Sequence, residues 1–240
     1  MMRGLLAAVG FLTRLPMPAW ALQHPAAPSS LACYPLVGLL IGGLLWGASW
    51  PLSAAPPLLA AALVLAAWVG LTGGLHLDGL ADSADAWAGG LGDRERTLAI
   101  MKDPRSGPMG VTAVVIVLLL KFAALASLPA HSAALWLSPL LARTALTAAF
   151  MVTPYVRSGG LGSALKAAPR LACAAGLGFA LLLCALAGWP GMAAMAVALV
   201  VFGGWRRACL RRLGGITGDT CGALAELTEA AVLVVLALAA

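Results

Sequence analysis

Runs of Leu, Ala and Val long enough to cross a lipid bilayer recur along this chain, and they decide most of what it can fold into. A helix needs roughly 20 apolar residues to span the hydrocarbon core. Stretches of that kind occupy 31–50, 57–74, 108–128, 132–153, 171–189, 191–205 and 221–240. The sixth is short and requires an earlier start or a tilt. Pro51, Pro129, Pro154 and Pro190 stand at their ends, where a residue that stops helices belongs. Only 10% of the residues are charged, against about 25% in a soluble domain. A β-barrel would alternate polar and apolar residues, and these runs do not. The sequence therefore predicts an all-α fold. It is a polytopic integral membrane helix bundle of about seven transmembrane helices, in one membrane-embedded domain covering residues 1–240.

The basic residues sort between the connections. Arg3 and Arg14 precede the first span, and none lies in 51–56. Segment 75–107 carries Arg94, Arg96, Lys102 and Arg105, and the turn at 129–131 carries none. Segment 154–170 has Arg157, Lys166 and Arg170, the turn at Pro190 none, and 206–220 has Arg206, Arg207, Arg211 and Arg212. By the positive-inside rule the N-terminus is cytoplasmic and the C-terminus lies outside after seven spans. The net charge of +6 is then largely topological. No basic patch interleaves with aromatics, so no nucleic-acid partner is expected. Met1-Met2-Arg3 followed by Gly4 to Leu12 resembles a signal peptide, with Ala19-Trp20-Ala21 in the form of a cleavage site. Arg14, Pro16 and Pro18 interrupt it, so the segment is read as a retained amphipathic lead-in on the membrane. Five cysteines without a Cys-x-x-Cys pair argue against a disulfide framework or a zinc site.

All nine acidic residues fall in two stretches, both on the predicted cytoplasmic side. Carboxylates are expensive to keep in so apolar a chain, and such clusters point to chemistry. Asp78, Asp82 and Asp85 are spaced i, i+4, i+7 and fall within an arc of roughly 60° on a helix. Three carboxylates on one face repel unless a cation bridges them, and hard ions such as Mg²⁺ or Mn²⁺ take oxygen ligands. Asp78, Asp82 and Asp85 are therefore candidate metal ligands, and Asp82 a candidate catalytic residue as well. His76 either binds substrate or caps the helix.

Further on, Lys102-Asp103-Pro104-Arg105-Ser106-Gly107 joins two cations and a hydroxyl to a Gly-Pro turn before a helix. Cations and free N–H groups at a helix start suit phosphate. Lys102, Asp103, Arg105 and Ser106 are thus candidate substrate contacts. The second stretch opens on a Gly-rich turn, Gly214-Gly215-Ile216-Thr217-Gly218-Asp219, able to present N–H groups to an anion. It places Thr217 beside substrate and Asp219 beside a metal. Glu226 and Glu229 enter an apolar span, where ionisable groups are functional by default. They are candidate catalytic residues, one for a second metal and one as general base. Arg143, in mid-span, must face the bundle and pair with carboxylate or phosphate. Lys121 is read as snorkelling to the interface. Arg157, among glycines, is a second anion contact. Both acidic stretches are expected to open on one cytoplasmic-facing cavity, with Asp82 and Glu226 facing it together.

Taken in order, these residues resemble the adenosylcobinamide-GDP ribazoletransferase (cobalamin synthase) family. The likeness runs from Phe11-Leu12-Thr13-Arg14-Leu15-Pro16-Met17-Pro18 through Tyr34-Pro35 to the block from Gly73 to Asp85. It continues in Ile100-Met101-Lys102-Asp103-Pro104-Arg105-Ser106-Gly107, Pro154-Tyr155-Val156-Arg157 and Gly215 to Asp219. Cys33 departs from the aromatic pair that the family often shows before this proline. The resemblance implies a Mg²⁺-dependent inner-membrane enzyme. Such an enzyme joins adenosylcobinamide-GDP to α-ribazole, or its 5′-phosphate, and releases GMP, with membrane lipid around it and a homo-oligomer admitted. The acidic helix is also similar to that of CDP-alcohol phosphotransferases, but Asp78-Gly79 is followed here by Leu80-Ala81-Asp82. A carboxylate-coupled transporter, the other alternative, lacks an evident inverted repeat and leaves the Lys102–Arg105 segment unexplained.

Overall fold

The computed structural model describes residues 2–19, 27–157 and 161–240. Trp20 and Ala21 of the cleavage-like triplet, and the glycines at 159 and 160 after Arg157, lie outside the described residues. The described chain is helical: α1 (Met2–Leu12), α2 (Tyr34–Ser49), α3 (Pro57–Thr72), α4 (Leu75–Gly89), α5 (Arg94–Ile100), α6 (Pro108–Ser127), α7 (Ala134–Val152), α8 (Arg170–Leu186), α9 (Trp189–Leu213) and α10 (Gly218–Leu238). Short 3-10 turns at Pro28–Cys33 and Leu161–Ala167 join some of them.

Five helical stretches are long and apolar enough to cross a membrane, and six if α3 and α4 count as one broken span. They are Pro28–Ser49, Pro108–Ser127, Ala134–Val152, Trp189–Leu213 and Gly218–Leu238. Of the seven stretches expected, two fall below that length. The stretch expected at 57–74 yields a helix of 16 residues and that at 171–189 one of 17, at or just below the lower end of what a bilayer asks for, roughly 17–25. The stretch expected at 191–205 errs the other way. Its helix runs for 25 residues, so Arg206, Arg207, Arg211 and Arg212 sit on its last turns instead of in a loop. Cations there complement the negative end of the helix dipole.

Glycines set the close approach of α2 and α7. A Cβ at Gly38 would lie 2.4 Å from the Pro139 carbonyl oxygen, and one at Gly42 2.4 Å from the Trp136 Cα. This small-xxx-small pair lets α2 lie directly on α7, the usual way apolar helices associate without a hydrophobic drive. Gly79 of α4 meets Gly222 of α10 in the same manner, 3.2 Å from a built Cβ to the Gly222 Cα. α10 is buried along most of its length and forms the centre of the bundle against α4, α6, α7 and α9.

Gly73 and Gly74 are both left-handed, at φ 65° and 70°. They end α3 and start α4, and the chain turns by 88° between the two. L-residues with side chains rarely adopt that conformation, so two adjacent glycines make the corner. α4 thus leaves the direction of the span and lies across the end of the bundle. α1, expected as an amphipathic lead-in on the membrane, packs one face on the Pro28–Cys33 turn and α2, burying Ala7, Ala8, Val9 and Leu12.

Candidate active site

The bent helix α4 brings the first acidic stretch over the start of α10. Gly79 allows it: a Cβ there would meet the Asp219 backbone oxygen at 2.7 Å. Asp78 on α4 and Asp219 on α10 consequently line one cavity of about 580 Å³, together with His76, Lys102 and Arg157. That volume is ordinary for a small-molecule site. Arg157 Nη1 donates to Asp219 Oδ2 at 3.0 Å, and backbone hydrogen bonds pin its segment to the Gly-rich turn. Ile216 N–H donates to the Pro154 carbonyl at 2.7 Å and Val156 N–H to the Ile216 carbonyl at 2.9 Å. Two connections distant in sequence thus form one floor. A smaller cavity of about 270 Å³ at the other end of the helices, beside His131, has among the described residues no acidic residue, lysine or arginine in its lining.

The basic end of α9 holds this floor in place. Arg94 Nε donates to the Leu213 carbonyl at 2.8 Å, and Arg212 donates to the Trp87 carbonyl at 2.6 Å and to Thr97 Oγ1 at 3.1 Å. Residues that topology alone would explain are therefore also built into the site's support.

The predicted Asp78, Asp82, Asp85 row is helical, but its members have different surroundings. Asp85 accepts from Gly107 N–H at 2.7 Å and Gly110 N–H at 2.9 Å, one on each carboxylate oxygen. It caps the start of α6, where N–H groups otherwise lack partners. Asp82 is half-buried one turn beyond Asp78 and is not among the cavity's lining residues. Burial, then the charges of Asp78, Asp219 and Asp85, push its carboxyl up to about 6. Four carboxylates therefore share one field. Among the described residues neither Asp78 nor Asp82 has an ion-pair partner.

No three His, Cys, Asp or Glu side chains close on one point among the described residues. The set nonetheless fits a hard divalent ion. All its donors are oxygens, their mutual repulsion calls for a cation, and Mg²⁺ is usually held by one or two carboxylates plus substrate phosphates. Asp78 and Asp219, which line the cavity together, are the pair that would hold it, with Asp82 one turn from Asp78.

The Lys102–Ser106 segment divides. Lys102 lines the cavity. Arg105 instead folds back on Asp103, donating through Nε at 2.9 Å and Nη2 at 2.7 Å, and these bonds hold the Asp103 carboxyl down at about 2. Asp103 and Arg105 neutralise each other outside the cavity, and Ser106 is exposed. Thr217 is buried and serves the start of α10, where its side chain and that of Thr220 form a capping box. That engagement takes its hydroxyl away from the substrate role expected for it.

Deeper in the bundle lies a group that the sequence did not connect. Lys121 on α6 does not snorkel: it is 2% exposed, and its ammonium donates to Glu226 Oε2 at 2.6 Å and to Glu229. Arg143 on α7 also donates to Glu229. The Trp68 ring lies 4.9 Å from the Lys121 ammonium. Two cations and two carboxylates balance to zero, which is what makes their burial tolerable. Arg143 pairs with carboxylate, one of the two alternatives expected. Arg143 and Glu226 do not line the cavity, so Asp82 and Glu226 do not face it together as expected. The second stretch reaches the cavity through Asp219 instead.

One contact joins the two groups. Arg143 Nη2 lies 3.4 Å from His76 Nδ1. Arginine only donates, so Nδ1 accepts and the imidazole proton sits on Nε2. His76 is buried, lines the cavity, and stands within α4 and not at its cap.

The sequence model of a family described as cobalamin-5-phosphate synthase matches residues 4–237. A protein of Pseudomonas paraeruginosa (strain DSM 24068 / PA7) named adenosylcobinamide-GDP ribazoletransferase is 55% identical over 243 residues, covering 99% of this chain and 98% of its own. A protein of that name from Stutzerimonas stutzeri (strain A1501) is 57% identical over 238 residues, covering 98% and 97%. One from Pseudomonas fluorescens (strain SBW25) is 54% identical over 236 residues. No solved structure matches the chain.

Proposed function

The chain belongs to the cobalamin-5-phosphate synthase family, and from that premise we propose that it is an adenosylcobinamide-GDP ribazoletransferase. It joins adenosylcobinamide-GDP to α-ribazole or its 5′-phosphate and releases GMP. The observation that carries the reading is the meeting of Asp78 and Asp219 with Lys102 and Arg157 around one cavity. Carboxylates that want a cation, beside cations that want phosphate, are what a pyrophosphate substrate requires.

In this reading Asp78 and Asp219 would hold a divalent ion, Mg²⁺ or Mn²⁺, and Asp82 would add its charge to their field. The chemistry such an ion would supply is neutralisation of charge on the phosphate oxygens. Lys102 and Arg157 meet the same pyrophosphate from the protein side, Arg157 being positioned by Asp219. His76, its proton on Nε2, is a neutral donor for a phosphate or ribose oxygen. The acceptor hydroxyl attacks the phosphorus that stays with the corrinoid, and a carboxylate of the cluster takes its proton. Glu226 and Glu229, committed to Lys121 and Arg143, position the bundle and through Arg143 orient His76.

The cavity would face the cytoplasm of an inner membrane, since the basic connections gather at its end. Large exposed side chains such as Leu119, Leu182 and Val200 would meet lipid. The test is GMP release from adenosylcobinamide-GDP by the purified protein, with and without α-ribazole and Mg²⁺. Release that needs both supports the reading. The absence of release with both present overturns it.

A further inference from the structure

The cavity has a second wall that the phosphate chemistry leaves unused. It is built from α1, α2 and α7 with the residues after α7, and it presents Phe11, Tyr34, Leu146, Phe150, Tyr155 and Leu165. Its rings are arranged in pairs. Phe11 and Tyr34 stack with centroids 6.4 Å apart and planes at 25°. Phe150 and Tyr155 stack at 5.6 Å and 22°. Near-parallel rings at an open cavity are a ready platform for a further flat ring, since every aromatic base has a face that stacks.

Resting on the transferase reading, we propose that this wall is the subsite for the heteroaromatic base of the acceptor nucleoside. The reaction brings two bases to the enzyme, guanine on the donor and a benzimidazole on the acceptor. Guanine carries an exocyclic amine, a ring N–H and a carbonyl, and each needs a partner when taken out of water. Among the described residues the lining holds no Asn or Gln, and its acidic residues, Asp78 and Asp219, belong to the polar side. A methyl-bearing benzimidazole has only apolar edges and one free ring nitrogen, so the same wall removes its surface from water at no such cost.

A donor for that nitrogen is present. Tyr34 is 1% exposed, and its buried hydroxyl, beside that of Ser30, makes no other hydrogen bond among the described residues. Ser30 gives its own proton to the Ala27 carbonyl at 2.7 Å, so the Tyr34 O–H is the donor of the two hydroxyls. A buried hydroxyl whose proton is held by no more than one neighbouring hydroxyl, on a residue lining a cavity, can be turned to a bound group. With the base on the rings, the ribose hydroxyl extends toward Asp78 and Lys102, where the pyrophosphate lies. The site then reads acceptor specificity through shape and one hydrogen bond.

The experiment measures KM for each substrate separately in wild-type protein and in Phe150→Leu, Phe11→Leu and Tyr34→Phe. The leucine variants keep apolar volume but lose the flat face. Each should raise KM for α-ribazole by about tenfold, as losing one stacking face does, with KM for adenosylcobinamide-GDP unchanged. Wild type should reject an acceptor with adenine in place of benzimidazole. A rise in KM for adenosylcobinamide-GDP alone would assign the wall to guanine and overturn the proposal, as would unchanged constants for both substrates. A wild-type protein that releases no GMP at all sinks the transferase reading itself. Fluorescence titration of free α-ribazole against wild type and Phe150→Leu then decides the subsite independently: equal affinities reject it, and weaker binding to the variant upholds it.

Discussion

The Lys121 ammonium stands 2.6 Å from Glu226 Oε2, with the two side chains 3% and 5% exposed. Glu229 shares the same ammonium and also receives Arg143. Removing one cation from such a group leaves a carboxylate buried without its partner, at a cost of about 3–5 kcal/mol. Lys121→Met should therefore lower the melting temperature in detergent sharply, and Lys121→Met with Glu226→Gln should regain part of the loss. Identical melting of Lys121→Met and wild type would show that the pairing contributes nothing.

Gly79→Ala tests the junction of the acidic stretches. The added methyl meets the Asp219 backbone oxygen at 2.7 Å and the Gly222 Cα at 3.2 Å. α4 must move off α10, separating Asp78 from Asp219. Turnover should fall by at least about tenfold, the effect of misplacing catalytic groups by a fraction of an ångström to an ångström. Gly70→Ala is the control, because nothing lies within 4 Å of a Cβ there. It should keep full activity and match or exceed wild-type stability by about 0.4–1 kcal/mol.

Asp82→Asn should nearly abolish GMP release while the protein remains folded in detergent. The change preserves shape and removes one charge from a field shared with Asp78, Asp85 and Asp219. Near-normal turnover at saturating Mg²⁺ would remove Asp82 from the site.

Asp85 makes a different prediction from its helix neighbours. Its oxygens hold the N–H groups of Gly107 and Gly110, so Asp85→Ala should destabilise by about 2–3 kcal/mol, as expected on losing hydrogen bonds to a charged group. The Mg²⁺ concentration for half-maximal activity should stay unchanged. A large rise in that concentration would make Asp85 a ligand after all.

The two cations of the 102–106 segment should separate. Lys102 lines the cavity, whereas Arg105 is paired with Asp103 and largely exposed. Lys102→Ala should raise KM for adenosylcobinamide-GDP by about tenfold, the worth of one charge-assisted phosphate contact. Arg105→Ala should change it little. Equal effects would mean that Arg105 leaves Asp103 to meet the substrate.

Much of this protein follows from residue order alone. Apolar runs specify helices in a bilayer wherever they fall, because an unpaired backbone in hydrocarbon is prohibitive. Asp78 and Asp82 fall on one helix face because 3.6 residues make a turn. The left-handed pair Gly73-Gly74 stands in the sequence as two glycines, yet its 88° bend could not be read there, since glycine permits that conformation without requiring it. Partnership across helices was the part that residue order left open. Lys121 and Arg143 are single cations in apolar stretches, equally able to reach a lipid interface, a phosphate or a carboxylate. Only the packing of α6 and α7 on α10 puts Glu226 and Glu229 within their reach. Asp85 has the spacing of a metal ligand, but the start of α6 lies against it and takes both of its oxygens. Local spacing determines which side chains share a face. What that face meets depends on helix crossings set by Gly38, Gly42, Gly79 and Gly222, where distances of a few ångströms between backbones decide each charge's partner.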